Sequence, residues 1–310
     1  MAVLKTVDVV NVREDLGNVI SNISPEETPF YTEIGKDTAK NTYHEFMNDS
    51  LAPANKDNAA AEGADAGAAN NTGPARQGNW TQIFTNVIDV TGSLEAVDTA
   101  GAKSTLAYQI SKGTAELKRD IEAALVSGNA SVATGTRKLG GLEAWLSTNA
   151  LHGAGGDTPG FSNATVGAIT AGTTRALTED MFNEMVEMVW NEGGDPSKVI
   201  VAGGLKKAIS KFSGNATRYQ DLDKAKTIYA GVDVYVSDFG VHNIIPHHFM
   251  SKTTVIAFDP KFWAASTLRA LKRNELAKTG DSTKYQLITE LTLSAKNERS
   301  SGKVADVTPA

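Results

Sequence analysis

The sequence predicts a mixed α+β fold, and three features carry that prediction. One long amphipathic helix spans residues 99–127, an α/β module follows the loop that ends near residue 174, and the final third alternates apolar and polar residues as strands do. With 310 residues and 41% hydrophobic content, the chain can bury one large core or two ordinary ones. Cysteine is absent, which excludes a disulfide scaffold, thiolate metal sites and cysteine nucleophiles. No run approaches the roughly 18 to 20 apolar residues of a membrane helix. Lys5 and Asp8 arrive too early for a signal-peptide core, so a soluble protein is expected, without membrane partners.

The net charge of −6 is unevenly spread. Residues 1–100 hold 6 basic and 15 acidic side chains, whereas residues 261–310 hold 9 basic and 5 acidic. An acidic front and a basic tail suit head-to-tail contacts between copies; the alternative is a solvated surface whose signs happen to segregate. No concentrated basic patch marks a nucleic-acid reader.

Residues 1–40 read as an extended arm. Pro25 and Pro29 disfavour a continuous helix, and Phe30, Tyr31 and Ile34 then need burial outside a segment with little core of its own. Residues 41–49 read as a strand, and Trp80 to Val90, with Phe84 inside it, as a second. Between them, Pro53 to Pro74 contains no large apolar side chain and cannot build a core. Two strands with so long a polar tip make an extended β-loop, which compact domains rarely keep without a function.

The helix at 99–127 places Leu106, Ile110, Gly113, Leu117, Ile121 and Leu125 on one stripe, with Thr99 at its start and Gly128 at its end. Lys112/Glu116 and Lys118/Glu122 add i,i+4 charge pairs. Such a rod would run roughly 40 Å, and one stripe on it suggests that it lies along a sheet. A glycine turn at Gly140-Gly141 leads into a short helical segment, followed by a loop from His152 to Thr174. Thr178-Glu-Asp opens a helix whose Met181, Phe182, Met185, Met188 and Val189 share a face. Lys198 to Ala202 reads as a buried strand and Leu205 to Phe212 as a short helix. Strands are expected around Val232–Val236, Thr254–Phe258 and Tyr285–Ala295.

Candidate chemistry is sparse. Gly203-Gly204, with Lys206 and Lys207 behind, resembles a phosphate cradle but lacks both the dinucleotide fingerprint and the P-loop lysine spacing. A tight strand-to-helix turn is the competing reading. His242, His247 and His248 cluster near Asp238, yet the adjacent pair would face opposite sides of a strand, which works against joint ligation. No nucleophile elbow or isolated carboxylate pair is present. Catalytic residues, cofactors and a metal site are therefore not expected.

This order of segments resembles the major capsid protein of tailed bacteriophages, the Hong-Kong-97-type fold. Two stretches are similar to a short, arm-first capsid family: Ser21-Asn-Ile-Ser-Pro25-Glu-Glu-Thr-Pro29-Phe30-Tyr31 and Thr136-Arg-Lys-Leu-Gly140-Gly141-Leu-Glu-Ala-Trp145. The resemblance implies an N-arm at 1–40 and an E-loop at 41–98 that reaches over a neighbour. It also implies a peripheral domain at 99–150 and 255–310, whose spine helix has a core of Leu106, Ile110, Leu117, Ile121 and Leu125. An axial domain at 151–254 would meet its copies around fivefold and sixfold axes, as pentamers and hexamers. Inter-subunit contacts are expected at Pro25, Pro29, Phe30, Tyr31, Trp80 and Phe84. The implied function is a self-assembling icosahedral head shell around double-stranded DNA, built in the bacterial host cytoplasm and found in the virion. Portal, scaffold or minor capsid proteins would be its partners, and contact with packaged DNA would be non-specific. Some relatives cross-link a lysine to an asparagine, for which Lys56 is a nominal candidate here. Two other readings stay open: a different self-assembling layer or fibre subunit, and an α/β nucleotide-binding enzyme using Gly203-Gly204.

Overall fold

The computed structural model describes residues 27–65, 67, 73–97, 104–212, 234–278 and 280–309. In chain order the elements are α1 (Pro29–Glu33), β1 (Gly35–Thr38), β2 (Tyr43–Asn48), β3 (Ala75–Trp80), β4 (Gln82–Thr91), α2 (Gly92–Ala96) and α3 (Thr105–Val126). Next come α4 (Leu142–Trp145), the short strands β5 (Ala150–Leu151), β6 (Phe161–Ser162), β7 (Thr165–Val166) and β8 (Arg175–Ala176), then α5 (Glu179–Asn191), β9 (Lys198–Val201) and α6 (Gly203–Ile209). The chain closes with β10 (Val234–Ser237), β11 (Gly240–Pro246), β12 (Val255–Phe258), β13 (Trp263–Glu275), β14 (Ser282–Ala295), β15 (Gly302–Val304) and β16 (Val307–Thr308). Among the described residues, no helix is long and apolar enough to cross a membrane.

Two compact units are present, and both draw on distant parts of the chain. The described part of the smaller is Thr85–Lys118 and Lys272–Ile288; the larger is Glu27–Phe84, Arg119–Leu271 and Thr289–Ala310. In the larger unit a six-stranded mixed sheet runs β10-β11-β9-β12-β15-β5. Val199 and Val201 of β9, Val255 and Ala257 of β12, Ile244 of β11 and Val304 of β15 form one apolar cluster with Phe182, Met185 and Val186 of α5 and Leu205 and Ile209 of α6. Each such side chain contributes about 1.5 to 3 kcal/mol by leaving water. The sheet takes β9, β10 and β11 from residues 151–254, β12 and β15 from beyond residue 254, and β5 from the 150/151 junction.

α5 matches its sequence signature. Thr178 Oγ1 accepts a hydrogen bond from Met181 N at 3.3 Å, Glu179 and Asp180 occupy the first turn, and Phe182, Met185, Val186 and Val189 are buried. The described part of α3 begins at Thr105, so Thr99 lies outside the described residues, as do Pro25 and Val232. Of its expected core, Leu117 and Leu125 are buried, while Leu106, Ile110 and Ile121 are only half-buried. Gly113 has a steric reason to be there: a Cβ would stand 3.0 Å from Ile88 Cδ1 and 3.3 Å from Asn86 Nδ2. The helix therefore lies against β4 at that point.

Three expectations change. The second strand of the β-loop, expected at Trp80 to Val90, is instead Ala75–Trp80, which pairs with β2; after a break at Thr81, Gln82–Thr91 forms β4 in a different sheet. The double glycine forms the first turn of a seven-residue helix, and a Cβ on Gly204 would meet Pro309 at 3.2 Å. Gly204 thus packs against the C-terminal segment, whereas a Cβ on Gly203 would meet nothing within 4 Å. In β14, both faces are buried from Thr289 to Ala295, where alternation alone predicted one.

Candidate assembly surfaces and their anchors

The β2–β3 hairpin pairs Tyr43 with Trp80 through Asn48 with Ala75 in antiparallel register. The Tyr43 and Trp80 rings pack at 4.8 Å, tilted by 39°. A Cβ on Gly78 would fall 2.6 Å from the Tyr43 ring, so only glycine fits beneath that aromatic pair. Beyond Asn48 and before Ala75, every described residue is exposed and none belongs to a helix or strand. Leu51 is 98% exposed and Met47, at the hairpin's end, 66%. A tip so formed buries nothing of its own.

Its stem is fixed by Asn79, whose side chain satisfies all four of its hydrogen-bonding positions. Nδ2 donates to Gly140 O at 3.0 Å and to Leu293 O at 2.9 Å, and Oδ1 accepts from Gly140 N at 2.9 Å and Trp80 N at 3.0 Å. The Gly140-Gly141 turn is thus clamped to the hairpin. A Cβ on Gly141 would stand 2.1 Å from Ser127 O, and one on Gly140 would stand 2.7 Å from Val166. Arg137, in the same motif, donates to Glu290 Oε1 at 2.7 Å; that carboxylate also accepts from Arg269 Nε and Thr81 Oγ1, each at 2.7 Å. Burial raises the Glu290 pKa, but these hydrogen bonds and the two guanidinium charges outweigh it and hold the carboxyl below its usual range.

A second anchor holds the segment that follows the arm. Glu122 is fully buried, and its carboxylate accepts from Phe30 N at 2.7 Å, Tyr31 N at 2.9 Å and His247 Nε2 at 2.7 Å. The first two are free amide groups at the N-terminus of α1, where a negative charge is favoured. Phe249 N donates to His247 Nδ1 at 3.1 Å, so the partners select the Nε2–H tautomer. Glu122 is therefore no surface partner of Lys118; only the Lys112–Glu116 pair forms, at 3.8 Å.

A third anchor lies under α4. Lys303 Nζ, fully buried, donates to Glu143 O at 2.8 Å and Thr158 Oγ1 at 2.6 Å, while Glu143 Oε1 accepts from Thr254 Oγ1 at 2.6 Å. Burial pulls the Lys303 pKa down to about 8, against the opposing pull of Glu143 and Asp306.

Of the expected contact residues, Phe30 and Phe84 turn out to be internal. Phe30 is 0% exposed and meets Phe258 edge-on at 5.2 Å, and Phe84 is 6% exposed. The arm's aromatic is thus buried by its own chain. Tyr31 and Trp80 remain half-exposed. The histidines separate: His242 is buried, with Nδ1 on Pro196 O at 2.6 Å and Nε2 on Ser237 Oγ at 2.7 Å, whereas His247 serves Glu122 and His248 is exposed. None of Asn79, Glu122, Glu143, Glu290 and Lys303 stood out in the sequence, because a lone polar residue inside an apolar pattern reads as a gap in the pattern.

Known proteins place this architecture. A curated relative, the major capsid protein of Escherichia phage Phieco32, is 26% identical over 92% of this chain and 91% of its own length. Among solved structures, the cyanophage A-1(L) capsid asymmetric unit superposes with a TM-score of 0.65, covering 98% of this chain and 100% of that one at 14% identity. The capsid of a native GTA particle gives 0.64 over 98% of both chains at 12% identity. These likenesses show the Hong-Kong-97-type fold. The family described as SU10 major capsid protein matches residues 3–308. With its stem clamped, its tip exposed and a family match across nearly its whole length, the chain belongs to the SU10 major capsid protein family: it is a structural, non-enzymatic subunit of a phage head shell.

Proposed function

We propose that copies of this chain close into an icosahedral shell around double-stranded DNA, with the β2–β3 hairpin as the element that reaches over a neighbour. The observation that carries the reading is the tip: every described residue between Asn48 and Ala75 is exposed, although the stem below it is locked by Asn79. A long loop held so firmly at its root and burying nothing calls for a surface outside the subunit. Residues 1–40 would serve as the N-arm and 41–98 as the E-loop. The peripheral domain would comprise 99–150 and 255–310, and the axial domain 151–254, around fivefold and sixfold axes. Pro25, Pro29, Tyr31 and Trp80 are the contact residues proposed, and α3 is the spine helix. Non-specific contact with DNA suits a subunit of net charge −6, which cannot coat itself tightly with phosphate. Portal and scaffold or minor capsid proteins complete the proposed set of partners.

Electron microscopy of the concentrated protein tests this reading. Closed isometric particles are expected. Extended sheets or rods would instead identify a layer or fibre subunit.

A further inference from the structure

We infer that the cleft between the end of α5 and the β10–β11 turn is a docking site for an arginine side chain presented by a protein other than this chain. The cleft has a volume of about 450 Å³ and is lined by Trp190, Gly193, Asp195, Ser197, Phe239 and Val241, among others. Trp190 and Val241 are each 56% exposed, and the Trp190 and Phe239 rings pack at 5.4 Å, tilted by 41°. Tryptophan is highly buried on average, and it is enriched where one chain anchors another. Asp195 supplies the charge. A Cβ on Gly240 would stand 3.8 Å from its Oδ1, so the carboxylate lies beside the turn that carries Phe239.

The surroundings select a cation. Among the described residues the Asp195 carboxylate enters no ion pair, and neither do Glu187, one turn before Trp190 on α5, and Asp238, next to Phe239. No lysine or arginine is among the described lining residues. α5 ends at this cleft with no basic residue in its last turn, so the negative end of its dipole is unanswered there too. An anion would be repelled, and an aliphatic ligand would strip water from Asp195 without replacing it. A guanidinium meets both halves of the cleft: its flat face covers an aromatic ring while its edge donates two parallel hydrogen bonds to a carboxylate. An ammonium lacks that flat face.

The chain's own arginines are otherwise engaged. Of those described, Arg76, Arg137, Arg269 and Arg299 meet carboxylates, Arg119 and Arg273 lie over aromatic rings, and Arg175 has its Nε buried. A second copy therefore has no described arginine to spare, which points to a different protein as the source. The inference goes beyond the head-shell reading: a subunit that carries the cleft can hold an arginine whether or not its copies close into a shell.

Titration of the ¹⁵N-labelled full chain with the peptide acetyl-Gly-Arg-Gly-amide, followed at the indole N–H resonance of Trp190, tests the site. Trp190→Phe identifies that resonance by removing it. The arginine peptide should shift it, and the same peptide with citrulline, which keeps the shape and loses the charge, should not. No shift with arginine up to the peptide's solubility limit, or an equal shift with citrulline, overturns the inference. Asp195 is exposed and its carboxylate holds nothing within the described chain, so Asp195→Asn should melt as the wild type does. It should weaken binding by about twofold to fivefold, the usual worth of an exposed ion pair. Unchanged binding would contradict the role given to the carboxylate. Electron microscopy of shells assembled from this chain alone separates a different protein from a second copy. The cleft should stand open, and a neighbouring subunit's side chain seated in it would overturn the assignment. If no shell forms, the head-shell reading fails, while the peptide titration still decides this one.

Discussion

Glu122 gathers three donors from two separate stretches of chain, and its removal would leave the buried Phe30 N–H and His247 Nε2 and the part-buried Tyr31 N–H unmet. Glu122→Ala is expected to cost about 3 to 5 kcal/mol, the usual penalty for breaking a buried charged contact from one side. Urea unfolding of dissociated subunits measures it; a loss under 1 kcal/mol would show that α1 is held by other means. Lys303 makes a prediction in pH. Its folded pKa is about 8 against 10.5 unfolded, so between those values the unfolded chain binds more protons and stability rises with pH. From pH 8 to pH 10 the subunit should gain on the order of 2 kcal/mol. Above pH 10 the gain is opposed by Tyr235, whose pKa is pushed up to about 12 by burial and by its hydrogen bond to Glu179, so that the folded state there holds the extra proton. Lys303→Met should flatten most of the rise, and an equal slope in that variant would contradict the assignment. Neither anchor was legible in the sequence: periodicity identifies which face is buried, but not which polar residue on that face has a partner waiting. Lys118 and Glu122 even carry the spacing of a surface pair.

At the scale of elements, legibility followed the strength of the local signal. α5 was legible because its opening threonine, its first-turn acids and its apolar face agree, although Val186 is buried where the reading had Met181 and Met188. The first strand of the hairpin and its tip were legible for the opposite reason, a stretch with nothing to bury, but the partner strand β3 was not: the strand read at Trp80 to Val90 is mostly β4, which belongs to a different sheet. The break between β3 and β4 was not legible either, because Thr81 is a good strand former by type; its N–H still bonds to Thr42 O at the hairpin's end while its hydroxyl turns to Glu290. The Gly140-Gly141 turn shows what a motif can conceal. It carries no chemistry, yet Gly141→Ala would drive a Cβ into the Ser127 carbonyl and unclamp the hairpin stem. That variant should lose at least about 2 kcal/mol of subunit stability. Wild-type thermal melting of the alanine variant would show that the turn can shift without cost.

In the whole molecule, what folds the subunit and what joins subunits are different parts of the chain. The described tip residues contribute no buried side chain, so replacing 52–74 by a short Gly-Ser bridge from Leu51 to Ala75 removes nothing from a core. Loop closure changes by only about 0.6 kcal/mol per doubling of length. The fold class could be read from the chain alone, and so could the presence of an exposed reach; the surface proposed for it, on another copy, has no signature in one sequence. The most direct measurement is therefore electron microscopy of this tip-shortened chain, paired with its melting curve. The account predicts a melting temperature within a few degrees of wild type and folded subunits or small oligomers that never close into stable particles. Normal, stable shells from the shortened chain would contradict it.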